Sequence, residues 1–254
     1  MSDRLDGTVA LITGASSGIG AATALDLADK GAAVTLVARR ADRLDMLAAE
    51  IRAKGGTALV QVGDITVEEE AREAVERTVV ELGRLDTLIN NAGVMLLGPA
   101  VDAPMEQWQR MVEVNLLGLL YCAHTALPHL LKAAEDAPRR VADLVNISSV
   151  AGRVARSGSA VYNATKHAVG AFSEGLRQEV TGRHVRVSLV EPGATATELS
   201  GHNRPEILQG IKSRFEGVER LRAEDIADAI GYIVTRPRHV AVNEVLVRPT
   251  EQQN

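Results

Sequence analysis

The chain has 254 residues, of which 46% are hydrophobic and 24% are charged, so it is long enough for one large α/β domain with a full core. Two smaller domains are the less favoured alternative. A formal net charge of −5 at pH 7 argues against nucleic acid or an anionic membrane as partner, and the single cysteine, Cys122, excludes an intrachain disulfide and favours a reducing cytoplasm.

Short apolar and β-branched runs alternate with helical patterns along the chain. Strands are predicted at residues 9–13, 33–38, 59–62, 87–90, 141–147, 185–190 and 244–247. Helices are predicted at residues 19–30, 43–53, 67–82, 105–132, 159–181 and 224–235. Strands this short and apolar, separated by helices, indicate a parallel sheet covered on both faces. We therefore predict an α/β fold, a Rossmann-type doubly wound parallel sheet of about seven strands with helices on both faces.

No stretch rich in Pro, Gly or Ser marks a domain boundary, so we expect a single domain over residues 1–254. The polar, Gly-rich residues 194–217 are predicted to be a mobile loop. The first strand begins close to the N-terminus, which leaves no room for a signal peptide. The most apolar stretch, residues 111–131, contains Glu113 and two histidines, which favour a buried or interfacial helix over a membrane span.

The first predicted strand ends in a glycine-rich turn, and a helix follows directly. The turn is Thr13-Gly14-Ala15-Ser16-Ser17-Gly18-Ile19-Gly20. Glycines at such a turn let the backbone approach a pyrophosphate, and the helix N-terminus offers N–H groups and the positive end of the helix dipole. The spacing Gly-x-x-x-Gly-x-Gly in this context favours a dinucleotide site over a tight turn that binds nothing.

The same residues also fit Gly-x-Ser-x-Gly, the turn that carries the nucleophile of serine hydrolases. Such a site needs a histidine base, and His184, His202 and His239 follow in the chain. Nothing in the sequence marks any of them as a base, and Gly20 has no role in a hydrolase, so we disfavour this alternative. None of the six histidines has ligand spacing with a Cys or acid cluster, and we predict no catalytic metal.

The second predicted strand leads into Arg39 and Arg40. NAD sites usually place an acidic residue here to bind the ribose 2′-hydroxyl, whereas a 2′-phosphate requires arginine. Because two arginines stand where the acid would be, and Ser16 can also reach the phosphate, we predict NADP(H) as the cofactor, favoured over NAD(H). The alternative is that the two arginines are solvent-exposed residues at the start of a helix and do not bind a cofactor.

Ser149, Tyr162 and Lys166 suit proton transfer. Tyr162 and Lys166 are four residues apart in a predicted helix, which places both on one face. Tyrosine has an ordinary pKa of about 10, and a nearby ammonium group lowers that pKa because it favours the phenolate. We therefore predict that the pair is a tuned proton donor and that Ser149 holds a carbonyl oxygen beside it.

Six motifs, in order, resemble those of the short-chain dehydrogenase/reductase superfamily in its single-domain form. They are Thr13-Gly14-x-x-x-Gly18-Ile19-Gly20, Asn90-Asn91-Ala92-Gly93, Asn115, Asn146-Ile147-Ser148-Ser149, Tyr162-x-x-x-Lys166 and Pro192-Gly193. The resemblance covers nearly the whole chain. It implies an enzyme that transfers hydride between NADP(H) and a small alcohol or carbonyl, with residues 1–147 binding the cofactor and residues 148–254 carrying catalysis and substrate contacts.

The resemblance implies a catalytic role for four residues. Tyr162 would be the general acid in reduction and the general base in oxidation, and Lys166 would lower its pKa and bond to the nicotinamide ribose. Ser149, which lies 13 residues before the tyrosine, matches the family serine and would polarise the substrate carbonyl. Asn115 would hold a water that links Lys166 to solvent.

Cofactor contacts are also implied, from the adenine to the nicotinamide. Asp64 and Ile65 would contact the adenine, and Thr195 and Thr197 the carboxamide. The remaining positions are Gly14, Ser16, Ser17, Gly18, Ile19 and Gly20 at the phosphates, Arg39 and Arg40 at the 2′-phosphate, Asn91, Ala92 and Gly93 at the adenosine ribose, and Tyr162, Lys166, Pro192 and Gly193 at the nicotinamide riboside.

The resemblance places the substrate pocket at residues 94–96, 150–157 and 194–215. Arg153 or Arg156 in the second segment would suit a carboxylate through a bidentate pair, although surface or subunit contacts are the favoured role for both. The C-terminal residues 243–250 resemble NADP-dependent 3-hydroxy-acid and serine dehydrogenases and clavulanate-forming aldehyde reductases. This implies a small hydroxy compound or aldehyde as substrate and a homotetramer or homodimer.

Two other functions stay open. One is a reductase of imines or C=C bonds, or an epimerase, on the same fold. The other is a dinucleotide-binding sensor or scaffold without turnover, which would not need Asn115, Ser149, Tyr162 and Lys166 together.

Overall fold

Seven strands form one parallel sheet. They are β1 (Val9–Thr13), β2 (Ala33–Ala38), β3 (Ala58–Val62), β4 (Thr87–Asn90), β5 (Ala142–Ile147), β6 (Val185–Pro192) and β7 (Glu244–Val247). The structure is a computed structural model that describes residues 4–253, apart from the side chains of residues 212 and 214. The strand order in the sheet is β3-β2-β1-β4-β5-β6-β7. Every neighbouring pair is parallel. The order reverses between β1 and β4, which opens a crevice at the carboxyl ends of these strands.

Helices cover both faces of the sheet. They are α1 (Gly18–Asp29), α2 (Ala41–Ala53), α3 (Glu68–Leu82), α4 (Met105–Val112), α5 (Gly118–Glu135), α6 (Ala160–Val180), α7 (Pro205–Arg214) and α8 (Ala223–Thr235). One core cluster joins the sheet to α1, α2 and α8, and a second joins it to α3, α5 and α6. The predicted Rossmann-type sheet of about seven strands is confirmed.

Strand β1 shows why the strands are apolar at every position. Ala10 and Ile12 belong to the cluster with α1, α2 and α8, while Leu11 belongs to the opposite cluster. Successive side chains of a strand point to opposite faces, so a sheet covered on both sides buries all of them. All five residues of β1 are buried.

The predicted helix over residues 105–132 is not continuous. A π-helical turn, Glu113–Leu117, separates α4 from α5. A π turn leaves the regular α-helical bonding pattern for one turn and is found mostly at functional sites. Asn115 lies in this turn, and its side chain bonds to both backbone groups of Val94, at 2.8 and 2.9 Å. These bonds anchor the turn to the loop after β4.

The stretch predicted to be a loop at residues 194–217 is partly helical. It contains a 3-10 turn, Glu198–His202, and then α7. Helix α7 begins at Pro205, a position where the fixed φ of proline suits a helix and its missing N–H costs nothing. The prediction of a loop is therefore wrong for the residues of the 3-10 turn and α7. It rested on the polar composition of the segment and did not treat Pro205 as the start of a helix.

The helical segment Met105–Glu135 has 31 residues and is long and apolar enough, by length and composition alone, to cross a membrane. Core helices pass the same test. Of its most apolar window, 44% is buried inside the protein. Its α5 part packs against α3, β4 and β5, as a core helix does.

Two helical glycines differ in the space around them. A Cβ at Gly20 would overlap the Gly14 carbonyl oxygen and lie 2.5 Å from Asn91 Nδ2, whereas nothing lies within 4 Å of a Cβ at Gly175. We expect Gly20→Ala to lower the free energy of unfolding by about 1–3 kcal/mol through overpacking. Gly175→Ala, the matched control in α6, should raise it by about 0.5–1 kcal/mol through helix propensity. Urea denaturation measures both, and a fully stable Gly20→Ala protein would contradict this close packing.

Candidate active site

A cavity of about 440 Å³ opens at the carboxyl ends of the strands, across the point where the strand order reverses. Nineteen of the 21 predicted site residues line it. They are Gly14, Ser16, Ser17, Gly18, Ile19, Arg39, Arg40, Asp64, Ile65, Asn91, Ala92, Gly93, Ser149, Tyr162, Lys166, Pro192, Gly193, Thr195 and Thr197. The two predicted residues that do not line it are Gly20, which packs beneath the turn, and Asn115.

The turn between β1 and α1 is shaped to admit a phosphate group. Gly14 has a φ of 66°, and a Cβ there would lie 2.8 Å from Ala92 Cα, so only glycine fits. Helix α1 has no acidic residue in its first turn, so its N–H groups and dipole meet no protein carboxylate there. The turn therefore suits an anionic group.

Asn91 holds this turn against β4. Its Nδ2 donates to the carbonyl oxygens of Thr13, at 3.0 Å, and Gly14, at 3.3 Å. The Thr13 hydroxyl accepts the backbone N–H groups of Asn91 and Ala92, at 3.0 and 3.1 Å. The Asn-Asn-Ala-Gly segment thus fixes the wall of the cavity beside the turn.

Arginine side chains surround the end of β2. Arg40 donates to Ser16 Oγ at 2.8 and 3.1 Å and to Ser17 Oγ at 2.8 Å. It also pairs with Glu198 at 2.8 Å, and Arg43 pairs with the same carboxylate at 2.5 Å. Hydrogen bonds from Arg43 and Arg40 lower the pKa of Glu198 to about 2, so it is ionised.

Arg43 and Glu198 also belong to this cluster and were not predicted from the sequence. Arg43 lies one helical turn after Arg40, and that spacing is a signal in the sequence. Glu198 is 158 residues away from Arg40, and no local pattern connects the two.

The serine-hydrolase alternative finds no support at this turn. The Ser16 hydroxyl accepts from the Arg40 guanidinium. Of the three histidines considered as a base, only His202 lines the cavity. Within residues 4–253, no three His, Cys, Asp or Glu side chains come together as a metal site.

Asp64, predicted to contact adenine, lines the cavity beside Arg39. Its Oδ1 accepts the backbone N–H and the hydroxyl of Thr66, at 3.0 and 2.8 Å, and its Oδ2 is 3.5 Å from Arg39 and 3.6 Å from Arg110. Burial alone would raise the pKa of Asp64, but the Thr66 hydrogen bonds and the two arginine charges lower it overall. Asp64 is therefore an ionised acceptor held by Thr66.

Tyr162 and Ser149 face each other within the cavity. Tyr162 is 5% exposed, and burial raises its pKa to about 12, while a hydrogen bond with Ser149 opposes the rise. The Ser149 hydroxyl accepts from Ala151 N at 3.1 Å. The neighbouring Ser148 hydroxyl donates to the Lys166 carbonyl instead.

The expected lowering of the Tyr162 pKa by Lys166 is contradicted. Lys166 Nζ lies 6.0 Å from the tyrosine ring centroid and donates to the Ile147 carbonyl oxygen at 2.8 Å. Burial also lowers the pKa of Lys166 to about 8, because the cavity wall disfavours its charge. Desolvation therefore dominates the pKa of Tyr162, opposed by the Ser149 hydrogen bond, and keeps the phenol protonated at neutral pH.

Asn115 lies behind the cavity wall, and its side chain is 1% exposed. Besides Val94, its amide donates to the Thr165 hydroxyl at 3.2 Å. Thr165 is next to Lys166 on α6, so Asn115 joins the loop after β4 to the helix that carries Tyr162 and Lys166. Its part in a proton relay stays a prediction.

Two further asparagines, Asn163 and Asn203, hold the loops around the cavity and were missed in the sequence. Asn163 is 4% exposed and donates to the carbonyl oxygens of Ala151, at 2.7 Å, and Val154, at 2.9 Å. Asn203 is 7% exposed, accepts from Leu97 N at 2.6 Å and donates to the Met95 carbonyl at 2.8 Å. The position of Asn163 inside a predicted helix was a signal in the sequence. Asparagine is unfavourable inside a helix, so its presence there indicates that its side chain has hydrogen-bond partners elsewhere.

The two arginines after Ser149 differ in their partners. Arg153 pairs with Glu191, whose side chain is 2% exposed, and with Glu244, both at 2.5 Å, and it does not line the cavity. Arg156 does line it. Arg153 therefore has the structural role that the sequence favoured for both.

A doubly wound sheet with an anion-binding turn at its switch point defines a dinucleotide-binding α/β protein. A model of the short chain dehydrogenase family matches residues 8–207. An uncharacterised oxidoreductase of Staphylococcus saprophyticus is 38% identical over 249 residues, which are 96% of each chain.

Solved structures agree with the sequence relatives. A serine dehydrogenase solved with NADP⁺ is 30% identical, with a TM-score of 0.88 over 97% of both chains. A metagenomic short-chain oxidoreductase solved with NADP is 32% identical, with a TM-score of 0.81 over 97% of this chain and 99% of that one. The chain belongs to the short-chain dehydrogenase family of oxidoreductases, which use a nicotinamide cofactor.

The depressed pKa of Lys166 predicts a pH-dependent cost to stability. Its folded pKa is about 8 against 10.5 ordinarily, so between these values the unfolded chain binds more protons and stability rises with pH. Lys166→Met removes the buried charge and loses one hydrogen bond. We expect it to be more stable than wild type by about 1 kcal/mol at pH 7 and less stable by about 1 kcal/mol at pH 9.5, because wild type gains about 2 kcal/mol over this range.

Urea denaturation of both proteins at pH 7 and pH 9.5 checks this expectation, since other titrating groups cancel in the comparison. A difference that does not change with pH would contradict the depressed pKa.

Proposed function

We propose that the protein is an NADP(H)-dependent oxidoreductase that transfers hydride between nicotinamide and a small alcohol or carbonyl compound. The observation that carries the proposal is geometric: the buried Tyr162 side chain lies in the cavity beside Ser149, with Lys166 one helical turn away on the same helix. A protonated phenol beside a hydroxyl suits proton donation to a carbonyl oxygen.

The residues of the cavity fit the cofactor. The Gly14 turn and the N-terminus of α1 would hold the pyrophosphate, and Arg40 with Ser16 would hold a ribose 2′-phosphate. Asp64 would accept from the adenine. On the other side, Pro192, Gly193, Thr195 and Thr197 line the wall where the nicotinamide would lie.

Bound nicotinamide would supply the hydride. In reduction, Ser149 would hold the carbonyl oxygen and Tyr162 would give it a proton, so that one hydride and one proton yield the alcohol. In oxidation, Tyr162 would take the proton back. Lys166 would contact the nicotinamide ribose and stabilise the phenolate that Tyr162 becomes when it gives up its proton.

NADP(H) is proposed over NAD(H) because Arg39 and Arg40 replace the usual acid after β2, and because two of the similar structures hold NADP. We also propose a cytoplasmic homotetramer or homodimer. Val112 and Leu117, each 37% exposed, lie on the long helical segment whose apolar face would pair between copies.

Tyr162→Phe tests the reaction. With NADPH and a panel of small aldehydes, ketones and keto acids at pH 7, we expect wild type to consume NADPH and Tyr162→Phe to lose about 100-fold or more in kcat, because it lacks the proton donor. NADPH binding, followed by its fluorescence, should weaken by about fivefold or less in this variant, because only one contact with the nicotinamide riboside is lost.

The control is Tyr232→Phe, which removes a hydroxyl from a tyrosine 53% exposed on α8. It should match wild type. If Tyr162→Phe reduces the same carbonyl as fast as wild type, the proton-donor role is wrong. Binding of NADPH without turnover on any carbonyl would favour a sensor.

Cofactor choice is tested at the arginine cluster. Arg40→Ala should weaken NADPH binding by about 10-fold or more, because it removes a charge-assisted contact. Glu198→Gln should tighten NADPH binding by up to about fivefold, because the carboxylate that neutralises Arg40 and Arg43 is removed from an exposed ion pair.

The affinity for NADH, which lacks the 2′-phosphate, is the internal control and should change little in either variant. Titrations of both cofactors with each protein measure this. Equal changes in the affinities for NADH and NADPH would show that Arg40 does not bind the 2′-phosphate.

A further inference from the structure

We propose that the substrate carries a carboxylate and that Arg156 binds it. This inference rests on the proposed function, because it concerns the substrate end of the same cavity. Three observations carry it: the position of Arg156 is fixed, its guanidinium has a buried nitrogen without a partner, and no protein carboxylate is available to neutralise it there.

Asn163 fixes the backbone of Arg156. Its Oδ1 accepts the Arg156 N–H at 3.2 Å and the Ser159 hydroxyl at 2.6 Å. The Ser159 hydroxyl can also donate to the Arg156 carbonyl oxygen, at 2.9 Å. Asn163 follows Tyr162 directly on α6, so the Arg156 N–H is held by the helix that carries the proposed proton donor.

The Arg156 guanidinium is incompletely bonded. Its Nη2 is buried and has no hydrogen-bond partner among the described residues. A buried polar group without a partner costs free energy, and the cost is larger for a charged one. Arg153, three residues earlier, differs in this respect, because it pairs with two carboxylates. Of these two arginines, the one that lines the cavity, Arg156, has the buried nitrogen without a partner.

The carboxylates of the cavity lie at its other end. Among the residues of 4–253 that line it, Asp64 and Glu198 are the only acidic ones, and arginines after β2 pair with both. The wall near Arg156 is formed by apolar side chains, including Val94, Val150 and Val154. A charge pair in such surroundings is stronger than one in water, so a substrate anion would be bound there selectively.

A carboxylate fits this position better than a phosphate. The planar guanidinium matches a carboxylate through two parallel hydrogen bonds. The other cations at this end are engaged, since Lys166 bonds to the Ile147 carbonyl and Arg220 lies 5.5 Å from the Phe215 ring.

The test compares acids with their neutral esters. The probes are glyoxylate and succinate semialdehyde, each against its methyl ester, with NADPH and wild type, Arg156→Met or Arg156→Lys. The ratio of kcat/KM for acid to ester should favour the acid about 10- to 100-fold in wild type for at least one pair, fall to near one in Arg156→Met, and recover partly in Arg156→Lys. Arg220→Met, which removes another cation of the cavity, should keep the ratio.

A binding measurement makes the test independent of turnover. Calorimetric titration with malonate and with malonamide should show tighter malonate binding to wild type and a loss of that difference in Arg156→Met. If NADPH is not consumed with any probe, the proposed function fails, and malonate binding still decides the role of Arg156. Equal kcat/KM for acids and esters in wild type, an equal loss for both in Arg156→Met, or a lost ratio in Arg220→Met would overturn the proposal.

Discussion

Hydrogen bonds from asparagine side chains to loop backbone hold the cavity together. The loops at the carboxyl ends of the strands have no neighbouring strand to pair with, so side chains must satisfy their backbone groups. Asn91 does this for the glycine turn, Asn115 and Asn203 do it for the loop after β4, and Asn163 does it for the loop after β5. An amide carries a donor and an acceptor on a short, stiff side chain, which suits it to bond two backbone groups at once.

Burial sets the protonation of the reacting groups. The same desolvation raises the pKa of Tyr162 to about 12 and lowers that of Lys166 to about 8, because it disfavours any charge in the cavity. The phenol therefore keeps a proton to donate, and the lysine is held at a cost to stability. Such a trade between folding and activity is typical of active sites.

The sequence predicted the sheet because its strands are buried on both faces and are therefore apolar throughout. It also predicted most of the cavity, since Gly14, Ser149 and Tyr162 belong to short motifs next to strand ends. The π turn at Asn115 was not predictable from local pattern, and its side chain bonds to Val94, which is 21 residues away in the sequence. The Tyr162 pKa was mispredicted for a related reason: spacing placed Lys166 near it, but burial and the bond to Ile147 decided the balance.

The segment after β6 is held unequally at its two ends. Toward the substrate end, Asn203 is buried and bonds to Leu97 and Met95, so releasing it would leave polar groups without partners. Toward the cofactor end, Glu198 is held only by ion pairs with Arg40 and Arg43, whose side chains are 41% and 42% exposed. Exposed ion pairs contribute about 0–1 kcal/mol to the free energy of unfolding. The ion pairs of Glu198 are therefore easier to break than the buried hydrogen bonds of Asn203, which keep the substrate wall in place.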